Sequence, residues 1–372
     1  MKAVVLLHSP HILSHEITRK IDQANTIQEL ANLHRESFDL PVLAASFSFP
    51  GFSDQVNDLH DLLISLCIKL CLTEMEQLGK GAPPAPYAFL LFGSGGRREQ
   101  TLFSDQDNGI VYQLPMDADN DTRQLIRTYF HQLGQLVVER LVEVGYPPCQ
   151  GNVLCSNDRW NRSLASWQEM FAEWCSLPSW ENIRYLLLTG DARMIAGDPA
   201  LFARWHSLYR QMFVDHPALI SRCVSNTLHH RVPLGLFGRI ITEMNGKYRG
   251  AIHVKNGLYL PFVNCIRLWS LAHGVSATHS FDRIKALRQA GVWAEELSTS
   301  VARHFQQTVY LRLLAATHWQ EDLFESCSYI NMSLLPKEEI PVLKQSMKQA
   351  LALHKMTSSL KRSDVDESLE SL

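Results

Sequence analysis

The stretch Tyr87–Gln113, YAFLLFGSGGRREQTLFSDQDNGIVYQ, decides how the rest of the chain is read. Ala88 to Phe92 is an apolar run of the length expected for a strand buried on both faces. It breaks into Gly93-Ser94-Gly95-Gly96, which no strand or helix interior favours. Beyond it stand Asp105 and Asp107 in alternation, leading into a second apolar run, Ile110 to Tyr112. If Asp105 to Asp107 is extended, both carboxylates point to one side, because side chains on a strand alternate with period two. A glycine-rich turn able to hold phosphate, opposite two carboxylates on one face, suggests a metal-nucleotide site.

Spacing removes the commoner phosphate and metal motifs. A dinucleotide fingerprint needs a third glycine where Arg98 stands, and no Gly-Lys-Ser/Thr follows at P-loop distance. A calcium loop starting at Asp105 would need glycine at its sixth position, which is Ile110. What survives is strand, Gly-Ser turn, short helix, then Asp-x-Asp on the next strand. Small residues let backbone N–H groups approach phosphate oxygens, Ser94 adds a hydroxyl, and Arg97 offers a planar fork for a phosphate. Gly93, Ser94, Gly96 and Arg97 are thus the candidate nucleotide contacts. Asp105 and Asp107 are the candidate catalytic ligands of Mg²⁺ or Mn²⁺, clamping attacking and leaving oxygens. The competing reading is an ordinary glycine turn followed by a solvated acidic turn.

Working outward, residues 1–85 read as helical. Ile17, Ile21, Ala24 and Ile27 to Leu30 form a stripe, Pro41 and Pro50-Gly51 interrupt it, and Ser53 is the expected N-cap of a second helix ending near Gly79. The Gly81–Pro86 segment cannot be helical and marks a boundary. After the second strand a helix with Leu125, Ile126, Tyr129, Phe130, Leu133, Leu136, Val137 and Leu141 on one face is expected to stop at Gly145. Gly151 to Cys155 is expected as a third strand. Trp160, Trp167, Trp174 and Trp180 read as packing residues. Gly197-Asp198-Pro199 caps a helix, and Ala251 to Leu260 reads as a hairpin turning at Asn256-Gly257. Helices continue to about Met356, followed by an acidic tail. These boundaries divide the chain into an N-terminal helical segment (1–85), a core (86–200), a helical domain (201–360) and a tail (361–372).

Composition narrows the function classes. The 372 residues are 46% hydrophobic and 20% charged, as for a folded globular protein, and exceed what one core usually absorbs. A net charge of −3 argues against broad nucleic-acid binding. No apolar run reaches bilayer length and Met1–Leu7 is too short for a signal peptide, so the expected location is the cytoplasm. The eight cysteines include no CxxC pair and read as buried thiols. His15-Glu16 lacks the second histidine of a zincin, and His229-His230 has no ligand partner at metal spacing.

Gly93-Ser94, ten residues, then Asp105-Gln106-Asp107 resembles the signature of the polymerase-beta-like nucleotidyltransferase superfamily. The fuller string from Gly93 to Asn108 is closer still to the DUF294 nucleotidyltransferase family, relatives of the PII-protein uridylyltransferases. Asp191-Ala192-Arg193 with Gly197-Asp198 resembles a segment common to both groups. Val254 to Leu258, through Arg267 and Leu271, resembles the start of the DUF294 substrate-binding domain. The resemblance implies an α+β fold: a small mixed-sheet nucleotidyltransferase core flanked by N-terminal helices and a C-terminal helical domain. It implies transfer of a nucleoside monophosphate from an NTP to an acceptor hydroxyl, on a regulatory protein if the PII parallel holds. The alternative is an inactive nucleotide-binding signal-transduction module, and a polynucleotide polymerase is a third reading disfavoured by the charge. The superfamily's third carboxylate has two candidates, Asp158 and the preferred Asp191, whose competing role is a cap or salt bridge. Lys255 is the second-domain candidate for the triphosphate, against an exposed hairpin lysine. Arg98 departs from the small residue usual in the turn and would crowd the phosphates or add a charge. No room is left for the HD and ACT domains of the uridylyltransferases, or for a CBS pair.

Overall fold

A computed structural model describes residues 15–38, 51–228, 231–317 and 328–361. The expectations for Met1–Leu7, Pro41, Pro50, His229-His230 and the acidic tail lie outside the described residues. The centre is a four-stranded mixed sheet of β1 (Tyr87–Leu91), β2 (Asn108–Tyr112), β3 (Asn161–Ser163) and β4 (Arg193–Gly197) in the order β3-β2-β1-β4. β1 runs antiparallel to β2 and β4, whereas β3 is parallel to β2. The α+β expectation holds. The third strand does not fall at Gly151–Cys155: that segment reaches β2 through Asn108, which donates to Val153 O and accepts from Cys155 N. β3 is only Asn-Arg-Ser, too short and polar to carry a strand pattern.

The sheet is buried on both faces, which explains the continuous apolar reading of β1. Phe89, Leu91, Ile110 and Tyr112 point into a core shared with the helices His15–Gln23, Ile27–Ser37, Phe52–Gln77 and Asn120–Val144. Ala88, Leu90, Phe92 and Val111 point the other way, against the helices Leu164–Ser176, Trp180–Thr189, Pro199–Asp215 and Leu219–Thr227. The N-terminal helices therefore complete one face of the sheet, across the boundary expected near residue 85. The two helices after residue 198 likewise belong to the sheet's second face, beyond the boundary expected at 200. Trp160, Trp167 and Trp174 are buried in this second core, as expected, but Trp180 is exposed. Burying one such large side chain contributes roughly 2–3 kcal/mol.

Local signals account for most boundaries. Thr26 and Glu29 form a reciprocal capping box. Asp119 caps the 120–144 helix and Asp198 caps the helix that follows it. The 52–77 helix starts two residues early, with Gly51 rather than Ser53 at its N-cap. Leu125 is exposed, off the apolar face assigned to it. Among the described residues the thiols are free and buried or half-buried, and no helix is long and apolar enough to cross a membrane.

A third apolar core belongs to the C-terminal lobe: helices Leu260–Ala272, Ser280–Gln289, Glu295–Thr317 and Glu339–Thr357 around the pair β5 (Ala251–His253) and β6 (Tyr329–Asn331). The expected Ala251–Leu260 hairpin is absent. Ala251 pairs with Asn331, and Lys255–Tyr259 is a π-helical turn leading into the 260–272 helix. The Asn-Gly signal is local, whereas the partner strand arrives some 75 residues later, so register could not be read from the turn.

Candidate functional site

β1 ends at Leu91 and continues its pairing for one more bond, Phe92 N to Asp107 O at 2.9 Å. The chain then folds into the short helix Gly93–Arg97. Gly93 sits at φ +53°, and a Cβ there would stand 2.6 Å from Asp107 Oδ2. Only glycine lets this turn adopt a left-handed conformation and lie directly against the carboxylate. The first N–H groups of such a turn have no intrahelical acceptor.

Asp105 and Asp107 flank Gln106, which bridges to Pro148 just before β2 begins. Gln106 is buried: its amide donates to Tyr146 O at 2.8 Å and Val138 O at 3.1 Å. Those bonds pin Gln106 to the helical layer, so alternation turns both acids to the opposite side, into one cavity. Burial, then the neighbouring Asp105 charge, pushes the Asp107 carboxyl up to about 7, against the Cys149 thiol, Lys255 and Arg97. The same burial and the Asp107 charge push the Cys149 thiol up to about 12. Neither acid forms an ion pair among the described residues.

The cavity, about 1000 Å³, lies between the sheet and the C-terminal lobe. Gly93, Ser94, Asp105 and Asp107 form one end, and Lys255, Tyr259 and Arg312 come from the C-terminal lobe. Trp180, Arg184, Asn226 and Thr227 line it from the second helical layer. Lys255, Arg184 and Arg312 form no ion pair among the described residues, so these three cations and two acids share one polar space. Lys255 lines the cavity from a π-helical turn rather than from the expected hairpin. Arg184, Arg312 and Trp180 were not anticipated. Arg184 and Trp180 are one helical turn apart on a capped helix, and that spacing was the available signal.

Other expected contacts lie elsewhere. Gly96 packs so closely that a Cβ would meet Asp191 O at 1.9 Å; it is a packing glycine, not part of the cavity lining. Arg97 borders the cavity, but its guanidinium is occupied: Nε donates to Glu99 at 2.8 Å, Nη2 to Tyr259 at 2.8 Å, and Nη1 to Asp191. Asp191, the preferred third carboxylate, does not reach the acid pair. It is fully buried beneath the guanidinium groups of Arg97, Arg267 and Arg283. Burial alone would raise its carboxyl, but Arg267, Arg97 and Arg283 hold it down at about 2. Asp158 is exposed on another surface beside Arg127 and His131. Arg98 neither crowds the turn nor adds charge to it. At φ 54° it ends the short helix and turns to Asp58 and Asp61 of the 52–77 helix. Among the described residues no third carboxylate lines the cavity, and no group of three metal-binding side chains forms.

Comparison with protein families agrees with this geometry. Residues 41–181, holding β1 to β3, the turn and the acid pair but not β4, match the family model described as Putative nucleotidyltransferase DUF294. Residues 217–360 match its companion, the Putative nucleotidyltransferase substrate binding domain. The two matches together span most of the chain, which belongs to the DUF294 nucleotidyltransferase family. No curated protein matches the sequence.

Proposed function

We propose that this protein is a divalent-metal-dependent nucleotidyltransferase that moves a nucleoside monophosphate from an NTP to a hydroxyl of a regulatory protein, as the PII-protein uridylyltransferases do. The observation that carries the reading is the pair Asp105 and Asp107, turned together into a cavity against Gly93 with no counter-charge bonded to either. Two adjacent carboxylates in such a place repel each other, and an oxygen-only donor set fits a hard cation such as Mg²⁺ or Mn²⁺. Two protein carboxylates suffice for Mg²⁺, which takes much of its remaining shell from phosphates and water. A bound divalent ion would neutralise charge developing on the phosphoryl oxygens.

The chain's own residues supply the rest. Gly93 and Ser94 would bring the turn's N–H groups and a hydroxyl to the triphosphate, with Lys255 and Arg184 as its cations. In the transfer, the acceptor hydroxyl would give its proton to the carboxylate pair as its oxygen bonds to the α-phosphorus, the bond from that phosphorus to the bridging oxygen breaks, and pyrophosphate leaves. Lobe contact around the cavity would exclude water as competing acceptor. Incubation with each labelled NTP, Mg²⁺ or Mn²⁺ and a cell lysate tests this. Label on a protein, lost in Asp105→Asn and Asp107→Asn, is expected; transfer that survives both variants would refute the assignment.

One observation favours a second reading. With no third carboxylate on the cavity among the described residues, the chain could bind Mg-NTP and signal without turnover. Calorimetric binding of an NTP with no pyrophosphate release for any of the four would select that reading.

A further inference from the structure

Arg97, Glu99 and Tyr259 meet at one buried point between the lobes. The Tyr259 hydroxyl accepts from Arg97 Nη2 at 2.8 Å and donates to the Glu99 carboxylate. Ser280 N donates to the other Glu99 oxygen at 2.9 Å. The Arg312 guanidinium lies 3.8 Å from the centre of the Tyr259 ring and donates to Glu99 O at 3.0 Å. Arg97 is the last residue of the short helix that begins with Gly93 and Ser94. Tyr259 is the last residue of the π-helical turn that begins with Lys255, a turn closed by Leu260 N bonding Lys255 O. One phenol oxygen therefore joins the turn carrying Gly93 and Ser94 to the turn carrying Lys255.

Lys255 itself has no anchor: its ammonium makes no hydrogen bond or ion pair among the described residues. Its place in the cavity is inherited from the backbone of its turn. That turn is held to the core lobe at its far end by Tyr259, and two helical turns later by Arg267 on Asp191. π-Helical turns are rare and are often found at functional sites. Here the wide turn sets a cavity-lining cation and a buried anchor at its two ends.

We infer that Tyr259 is a positioning residue: through Arg97 and Glu99 it sets Lys255, and on its ring Arg312, against the triphosphate of the bound nucleotide. This rests on the nucleotide reading of the cavity. Tyr259 does not act on the reacting atoms; it fixes the distance between the two walls that grip the phosphates.

A double-mutant cycle on the full chain tests it, using calorimetric binding of Mg²⁺ with whichever of the four NTPs the wild type binds. Tyr259→Phe keeps the ring, its stacking on Phe305 and the seat of Arg312, and removes only the hydroxyl. Tyr259→Phe and Lys255→Ala are each expected to weaken binding about ten-fold, and the double variant hardly more than either. A double variant weaker by the product, about a hundred-fold, overturns the inference while leaving the nucleotide reading in place. So does Tyr259→Phe binding as tightly as wild type. Failure of the wild type to bind any NTP overturns both. If Tyr259→Phe does not fold, Arg312→Gln with Lys255→Ala reads the same coupling, and additivity there counts against the inference.

Discussion

Two sets of acids lie close together in this molecule and are treated in opposite ways. Asp105 and Asp107 share a cavity with no cation bonded to either, and the Asp107 carboxyl is driven up to about 7 by burial and by its neighbour. Asp191, deeper still, is saturated by Arg97, Arg267 and Arg283 and held down at about 2. Asp191 is fully buried and the pair half-buried, yet the more buried acid is the one held down, so the supply of positive charge and not burial distinguishes them. A buried acid whose cations come from the chain holds lobes together. A half-buried pair with no cation bonded to it is prepared for charge that arrives from outside, as a metal and a phosphate chain would bring.

The comparison can be broken most directly at the acids. Asp107→Asn should reduce nucleotidyl transfer on the order of a thousand-fold while melting at or above the wild-type temperature, because it relieves like-charge repulsion. Loss of both activity and fold would show that the pair is structural after all. Asp191→Asn should do the reverse, costing about 3–5 kcal/mol in a urea titration because three guanidinium groups lose their buried partner. Since its folded pKa lies below the ordinary 3.8, Asp191 stabilises the protein above that pH, and the contribution disappears as pH falls toward 2. Gly93→Ala should cost about 2 kcal/mol from its left-handed backbone and also weaken Mg-NTP binding, since its Cβ must displace the Asp107 carboxylate. Equal nucleotide binding by Gly93→Ala and wild type would separate the turn from the cavity's function.

The smallest expected effect concerns buried groups that avoid the problem by remaining neutral. His60 Nε2 must donate to Thr101 O, so Nδ1 accepts from the Tyr146 hydroxyl, and the ring is neutral. Burial pushes His60 down to about 4; burial first, then the neighbouring His60 ring and Arg35, pushes His34 down to about 3. Both folded values lie below the unfolded 6.5, so the unfolded chain binds more protons between those limits and stability falls with pH. Each should cost about 1 kcal/mol on going from pH 6.5 to 5.5, measured as a shift in urea midpoint. His60→Gln should flatten part of that slope.

The sequence made the site legible where its information is local. Strand, glycine turn and alternating acids occupy about twenty residues, and period-two alternation alone placed Asp105 and Asp107 on one side. Capping residues such as Asp198 were equally readable. What escaped depends on distant partners. Asp191 looked like a spare carboxylate because Arg267 and Arg283 lie far along the chain. Arg97 looked free because Glu99 faces it only once the helix has turned. Arg98 looked like an intrusion because Asp58 and Asp61 are on another helix. β3 escaped because three polar residues have no period, and the Asn256-Gly257 turn misled because the β-partner of Ala251 is Asn331.

The clasp at Asp191 also has a consequence in time. On a ribosome the residues of the sheet emerge before the C-terminal lobe, and Arg267 and Arg283 follow Asp191 by 76 and 92 positions. Until they appear, the nascent core carries an acid that it cannot bury with its full set of partners. Of its three guanidinium partners only Arg97 is made before Asp191, so the charge of this acid is compensated in full only after the C-terminal lobe is made.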